Sequence, residues 1–108
     1  GRACRLRIGP DREAGETEVA AEVHALRIGD FVLLTAPIEI LVEVGLNVKA
    51  ASPHPYTFVS GFTNGYLHYG PPAADYGRGS YEVTECFLAP EWQAIFEQRA
   101  TALLHRLP

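Results

Sequence analysis

Residues 31–39 decide the fold, and they read Phe-Val-Leu-Leu-Thr-Ala-Pro-Ile-Glu. The four apolar residues at the start have no polar interruption, and such a run is typical of an inner strand that is covered on both faces. Thr35 has the side chain of a helix N-cap, and Pro37 suits the first turn of a helix. We therefore predict a central β-strand that leads directly into an α-helix.

The helix predicted after this strand covers residues 37–51, because its apolar residues recur at helical spacing and Ser52-Pro53 ends it. Before the strand, residues 17–28 alternate between apolar and polar side chains, which is the pattern of a half-buried strand. Gly29-Asp30 separates the two runs and predicts a hairpin turn.

The rest of the chain adds short strands and a second helix. Strands are predicted at residues 4–9, 56–62, 66–69 and 81–87, and residues 70–80 are rich in Gly and Pro and should be irregular. Residues 90–107 carry an apolar stripe at helical spacing, with basic residues near the end. The fold class is thus mixed α/β, a single small domain over residues 1–108 with five to six strands and two main helices.

Composition excludes several classes of function. The chain has 108 residues, 47% of them hydrophobic and 20% charged, with a net charge of −4. This balance predicts a folded chain, and it argues against an electrostatic nucleic-acid binder, which needs a basic surface. The sequence shows neither a signal peptide nor an apolar run long enough to span a bilayer, and it assigns no compartment. Cys4 and Cys86 lack zinc-site spacing, which favours two reduced thiols, with one disulfide as the alternative.

Glu39 is the first candidate for chemistry. It follows an apolar strand in an α/β layer, where ligands usually bind, and the predicted helix would place it in a first turn, where the helix dipole stabilises a carboxylate. The alternative is that Glu39, Glu43 and Asn47 form a solvated helix face, since they are spaced four residues apart.

The second candidate is the polar, aromatic stretch Asn64-Gly65-Tyr66-Leu67-His68-Tyr69, together with Tyr81-Glu82. A loop of this kind can line a pocket, since phenols give hydrogen bonds and a phenolate can ligate zinc. The alternative is that these tyrosines pack half-buried with their hydroxyls in water. The three other histidines are expected to be structural or solvent-exposed: His24, His54 and His105.

Taken in order, these residues resemble a known family. The turn Ala36-Pro37-Ile38-Glu39, the Asn-x-Tyr-x-x-Tyr segment that ends at Tyr69, and a Tyr-Glu pair twelve residues later resemble the C-terminal part of the catalytic domain of neutral/alkaline (non-lysosomal) ceramidases and their bacterial relatives. The resemblance covers roughly residues 20–105. It implies that residues 1–108 are a C-terminal segment of a ceramidase-like hydrolase domain.

The resemblance also implies roles for particular residues. Glu39 and Tyr69 would be zinc ligands in the complete enzyme, whose other ligands are two histidines from an earlier, N-terminal half of the domain. None of the four histidines in this chain matches that upstream motif, so we expect no zinc in this chain alone. The implied substrate is a lipid-like amide, hydrolysed at an N-acyl sphingosine-like bond. The expected pocket-wall residues are Asn64, Tyr66, His68, Tyr81 and Glu82, and no nucleophile or general base is assigned.

Two alternatives belong to other classes of function. The chain could be a non-catalytic oligomerisation or interaction domain derived from that fold, which would expose an apolar face and form a homodimer. The residues proposed for that face are Val19, Val23, Phe58 and Phe62. The chain could also be a small binding module whose loop at residues 66–81 holds an organic ligand.

Overall fold

The structure is a computed structural model, and it describes residues 2–7, 18–67, 69–78 and 88–107. Two helices, six strands and one 3-10 helix occur in these ranges. In chain order they are β1 (Arg2–Arg7), β2 (Glu18–Ile28), β3 (Phe31–Thr35), β4 (Glu39–Ile40), α1 (Val42–Ala51), β5 (Tyr56–Ser60), β6 (Tyr69–Gly70), the 3-10 helix (Ala73–Arg78) and α2 (Trp92–Arg106).

The strands form two sheets. The larger sheet has the order β1-β2-β3-β5, in which β2 runs antiparallel to both of its neighbours and β3 runs parallel to β5. The smaller sheet is the parallel pair β4–β6. Helix α1 lies in the connection between the parallel strands β3 and β5, as such a crossover requires. The predicted mixed α/β fold class is confirmed.

One face of the larger sheet carries the core. The inward side chains of β2 and β3 pack against both helices, and each large apolar side chain buried in this way contributes about 1.5–3 kcal/mol. The core residues of these elements are Ala21, Val23, Val32, Leu34, Val44, Val48, Trp92, Phe96, Ala100 and Leu104. Val23 is therefore a core residue, and its placement on an exposed apolar face was wrong.

The opposite face of the sheet, called the outer face below, is apolar but uncovered in the described part of the chain. Its large side chains are about half exposed: Leu26, Ile28, Phe31, Tyr56 and Phe58. The prediction that the apolar run of β3 is covered on both faces is therefore wrong for this structure. Residues on alternate sides of β3 differ sharply, since Val32 is 1% exposed and Phe31 is 55% exposed.

The first helix begins later than predicted. It starts at Val42 behind Leu41, which gives no side-chain cap, so Thr35 is not an N-cap and Glu39 is not in a helix. The physical reason is that the backbone before Val42 bonds to other segments. The Ala36 N–H donates to the Ser60 carbonyl at 3.0 Å, and the Leu41 N–H donates to a carbonyl of β6 at 3.1 Å. A helix over residues 37–41 would break this pairing, although the predicted end at Ala51 is confirmed.

The remaining secondary-structure predictions are partly confirmed. The helix predicted at residues 90–107 is confirmed as α2, the strand predicted at 17–28 as β2, and the Gly29-Asp30 turn is present. The segment at 70–80 was expected to be irregular, but it contains the 3-10 helix, and the strand at 66–69 is reduced to β6. The strand predicted at 81–87, with Cys86, lies outside the described residues. In the described ranges, no helix has both the length and the apolarity to cross a membrane.

Two buried threonines give a matched test of polar burial. Thr35 is 8% exposed, and its hydroxyl has no hydrogen-bond partner among the described residues. Thr57 is 7% exposed, but its hydroxyl donates to the His54 carbonyl at 2.8 Å and lies 2.6 Å from the Ser52 hydroxyl. Burying a hydroxyl group costs free energy because the group loses its hydrogen bonds to water. A hydrogen bond inside the protein offsets this cost, and a hydroxyl without one does not recover it.

We expect Thr35→Val to raise the free energy of unfolding by about 1 kcal/mol, since it replaces an unbonded hydroxyl by a methyl group. Thr57→Val should lower it by about 1–2 kcal/mol, because it leaves the bonded partners unpaired. Urea denaturation followed by circular dichroism measures both. Equal effects of the two substitutions would contradict this account of the buried hydroxyls.

Candidate functional site

The pair β4–β6 brings together two residues that are far apart in the sequence. Glu39 lies opposite Tyr69, and Ile40 lies opposite Gly70, in parallel register. Neighbouring strands are about 4.8 Å apart, and directly paired residues lie on the same side of the pair. The side chains of Glu39 and Tyr69 therefore leave the strand pair on the same side, and both residues are partly buried. Within the described residues, the Glu39 carboxylate makes no hydrogen bond or ion pair.

The turn before Glu39 is held by a loop. Residues 36–38 accept three backbone hydrogen bonds from residues 62–67, which carry part of the Asn-x-Tyr-x-x-Tyr segment. These bonds run from Phe62 N to Ile38 O (3.0 Å), from Thr63 N to Ala36 O (2.9 Å) and from Leu67 N to Pro37 O (2.6 Å). The loop with Asn64 and Tyr66 is therefore hydrogen-bonded to the turn that directly precedes Glu39.

Gly61 allows this loop to approach β4 closely. A Cβ atom on Gly61 would lie 2.8 Å from the Ile38 carbonyl oxygen and 3.8 Å from the Glu39 Cα atom. The first distance is shorter than any normal contact, and the atom met is backbone that cannot swing aside. Only glycine fits here without a shift of β4.

Trp92, at the start of α2, fixes the position of β6. Its indole Nε1 donates to the Pro71 carbonyl at 2.8 Å, and its ring is fully buried. A Cβ atom on Gly70 would lie 2.6 Å from the Trp92 ring and 2.7 Å from the Ile38 side chain. The backbone beside Tyr69 therefore rests directly on a core side chain, which leaves β6 little freedom to move relative to β4.

The loop between β5 and β6 has an unusual backbone. Phe62 and Asn64 adopt φ values of 55° and 62°, and Gly65 adopts 142°. A positive φ is common for Asn and Gly, but for a bulky residue it costs on the order of 1–3 kcal/mol. The Phe62 ring lies on the Tyr66 ring, with centroids 4.3 Å apart, and both rings are largely exposed. The loop thus presents an aromatic pair to solvent close to the turn that leads into Glu39.

The predicted site residues fall into three groups. Glu39 and Tyr69 are paired, and Asn64 and Tyr66 lie on the loop that is bonded to the turn before Glu39. The other three predicted pocket-wall residues lie outside the described residues: His68, Tyr81 and Glu82. The assigned roles of all seven residues stay predictions. The helix-dipole argument for Glu39 is wrong, since this residue is in a strand.

The other histidines do not join the site. His24 pairs with Glu22 at 2.7 Å on the surface, His54 bonds the Leu104 carbonyl at 2.9 Å, and His105 is exposed. The ranges that the structure describes contain no group of three His, Cys, Asp or Glu side chains that could hold a metal ion. The proposed solvated helix face is wrong for Glu39, which lies outside α1, while Glu43 and Asn47 are exposed on that helix.

Sequence reasoning missed the residues that support the site. Trp92 was assigned only to the apolar stripe of a helix, and Gly70 only to an irregular stretch. The available signal was the combination of the one tryptophan of the chain with a glycine directly after the last tyrosine of the motif.

A groove of about 180 Å³ borders β4, and it is lined by Ile40, Gly61 and residues of α1 and β5. Because Ile40 alternates with Glu39, this groove lies on the other side of the strand.

The chain is similar to solved ceramidase structures. A ceramidase complexed with C2 and the neutral ceramidase from Pseudomonas aeruginosa are each 30% identical to this chain, with a TM-score of 0.66. Each match covers 85% of this chain and 16% of the ceramidase, so the chain spans about a sixth of the length of these proteins. No protein-family model and no curated protein matches the sequence. The resemblance stated from the sequence is confirmed.

The close contacts around Gly70 give a direct test of whether Trp92 holds β6 in position. We expect Gly70→Ala to lower the free energy of unfolding by about 2–3 kcal/mol, because the added methyl group overlaps the Trp92 ring in a packed core. Gly45→Ala is the matched control: nothing lies within 4 Å of its Cβ position in α1. It should raise the stability by about 0.5–1 kcal/mol, as alanine does in a helix.

Thermal and urea unfolding of the two variants measure the difference. If Gly70→Ala is as harmless as Gly45→Ala, then Trp92 does not hold β6 in the way described.

Proposed function

We propose, from the premise that this chain has a neutral-ceramidase-like fold, that it supplies part of the zinc site of an amide-hydrolysing enzyme. The observation that carries the proposal is the register of β4 and β6, in which Glu39 faces Tyr69. These are the two residues to which the family resemblance assigns zinc coordination, and the fold places them side by side.

The donor set fits zinc in part. Zinc binds thiolate sulfur, imidazole nitrogen and carboxylate oxygen, and a catalytic site uses three protein ligands beside the water or substrate. Glu39 and Tyr69 offer one carboxylate and one phenol oxygen. The described residues contain no group of three His, Cys, Asp or Glu side chains that could hold a metal ion without further ligands. This chain therefore carries about half of such a site, and the remaining ligands are the two histidines expected from an earlier segment of a longer domain.

The proposed chemistry assigns clear tasks to the residues of this chain. When bound in such a site, zinc polarises an amide carbonyl and lowers the pKa of its water. Glu39 contributes negative charge at a fixed point, because β4 is tied to the loop at residues 62–67 and to β6. Tyr69 would supply its phenol oxygen from the position on β6 that is paired with Glu39. Rigid placement of this kind is what a preorganised site requires.

The proposed substrate is a lipid-like amide. Support comes from the two similar structures, both of which are ceramidases, and from the exposed aromatic pair Phe62–Tyr66. An aromatic surface beside the site can contact the hydrocarbon part of such a substrate, while Asn64 in the same loop offers an amide to its polar part. Because two ligands are absent from this chain, we propose that it is inactive by itself.

A second candidate function is a non-catalytic interaction domain that keeps this fold. The observation that favours it is the outer face, where five large apolar side chains are about half exposed. Exposed apolar faces of this kind can mark contact surfaces for other proteins. The two candidates differ in their metal chemistry, since only the first requires Glu39 and Tyr69 to bind zinc.

Zinc titration of the 108-residue chain, followed by NMR chemical shifts, tests the first candidate. We expect weak binding, with a dissociation constant on the order of 1 mM, because two ligands give little of the free energy of a complete site. The shifts should centre on β4 and β6. Glu39→Gln and Tyr69→Phe should each remove them, while Tyr66→Phe, a control in the same segment, should keep them.

Three results would contradict the proposal. Submicromolar zinc binding by this chain would mean that the site is complete, against the half-site assignment. Shifts confined to the exposed pair of His24 and Glu22 would place the metal elsewhere. Hydrolysis of an N-acyl sphingosine by the isolated chain would contradict the proposed inactivity.

A further inference from the structure

The segment that follows β6 has few backbone donors of its own. Pro71 and Pro72 come directly after Gly70, both are buried, and neither has a backbone N–H. The first backbone N–H after Gly70 therefore belongs to Ala73, where the 3-10 helix begins. The first N–H groups of a helix have no acceptor within that helix, so this donor needs an acceptor from another part of the chain.

The side chain of Gln93 in α2 supplies that acceptor. Its Oε1 accepts a hydrogen bond from the Ala73 N–H at 2.6 Å, and its Nε2 donates to Oε2 of Glu97 at 2.9 Å. A backbone N–H only donates and a carboxylate only accepts, so the amide fits in one orientation. Gln93 follows Trp92, whose indole donates to the Pro71 carbonyl. Two consecutive side chains at the start of α2 therefore hold residues 71–73.

Glu97 extends these hydrogen bonds to the other helix. Its Oε2 also accepts a hydrogen bond from Nδ2 of Asn47 in α1, at 3.0 Å. We call the four groups the polar relay: the side chains of Asn47, Glu97 and Gln93, and the Ala73 N–H. Helix α1 follows β4 in the chain, and the 3-10 helix follows β6. Through α2, the polar relay thus connects the elements that come after the two paired strands.

We propose that Gln93 is a positioning residue, which holds Tyr69 in its place beside Glu39. The inference rests on the proposed zinc half-site and names a residue that supports it from outside. The two prolines after β6 have a fixed φ, so the backbone between β6 and Ala73 is stiff, and a shift of Ala73 is transmitted to Tyr69. Trp92 anchors the near end of this segment and Gln93 its far end. Two anchors on one short segment restrict its rotation as well as its position.

A charge swap within the polar relay tests the proposal. Gln93→Glu should break the relay, because it puts a carboxylate oxygen where Nε2 now lies, 2.9 Å from the Glu97 carboxylate. Adding Glu97→Gln should restore the relay, since the new amide can donate to the introduced carboxylate and still accept from Asn47. The double variant also keeps the net charge of the chain. Gln98→Glu is the matched control, because it adds the same charge at an exposed position of α2.

Two NMR measurements on the 108-residue chain give the readouts. Hydrogen exchange of the Ala73 amide reports on the polar relay, and the zinc-induced shifts of residues 39–40 and 69–70 report on the position of the two strands. In Gln93→Glu we expect exchange to be faster by about tenfold or more, and the dissociation constant for zinc to rise at least about threefold. The double variant should reverse both changes, and Gln98→Glu should cause neither.

Circular dichroism shows whether each variant folds, and Gln93→Met, which keeps the length of the side chain without its hydrogen bonds, replaces Gln93→Glu if that variant does not. Faster exchange of the Ala73 amide with unchanged zinc affinity overturns the proposal, since Gln93 would then only cap the 3-10 helix. Unchanged exchange overturns it as well.

Failure of the proposed function is a separate result. If zinc shifts no residue of β4 or β6 in the unmodified chain, the zinc half-site is wrong, and nuclear Overhauser effects between residues 39–40 and 69–70 then test the role of Gln93. Loss of these effects in Gln93→Glu and their return in the double variant would support positioning. Effects that persist in Gln93→Glu would overturn it.

Discussion

The packing of the Trp92 ring and the Ile38 side chain around Gly70 is the constraint on which the candidate site depends. It joins the core to the two shortest strands, because Ile38 directly precedes β4 and Gly70 belongs to β6. Two-residue strands have almost no stability of their own. Here the core stabilises both strands. The indole of Trp92 is fully buried, and its Nε1 donates a hydrogen bond to the Pro71 carbonyl. The pairing of Glu39 with Tyr69 is thus a consequence of core packing.

A second layer of support comes from the loop between β5 and β6. Its three backbone hydrogen bonds to the turn at residues 36–38 hold that turn in its non-helical conformation. The positive φ of Phe62 is the conformational cost of this arrangement, and the hydrogen bond from the Phe62 N–H to Ile38 offsets part of it. Strain of this kind is often found near functional sites. Here it lies in the same segment as the tyrosine motif that carried the family resemblance.

Sequence patterns predicted the elements whose stability is local or whose periodicity is long. The period-2 run of β2 and the helical stripe of α2 were both found, because each pattern repeats over many residues. The start of α1 was not found, since tertiary hydrogen bonds to Ser60 and Gly70 overrode the local signals of Thr35 and Pro37. Glu39 and Tyr69 were chosen from a family motif. No local pattern could show that Trp92 holds β6, the strand of Tyr69, in place beside β4.

The central claim is that β4 and β6 pair, so that Glu39 stands next to Tyr69. Nuclear Overhauser effects between backbone protons of residues 39–40 and 69–70 measure this pairing most directly, with the β3–β5 contacts as an internal reference. The account predicts cross-strand effects at both pairs, as for strands about 4.8 Å apart. Clear β3–β5 effects together with none between β4 and β6 would contradict it.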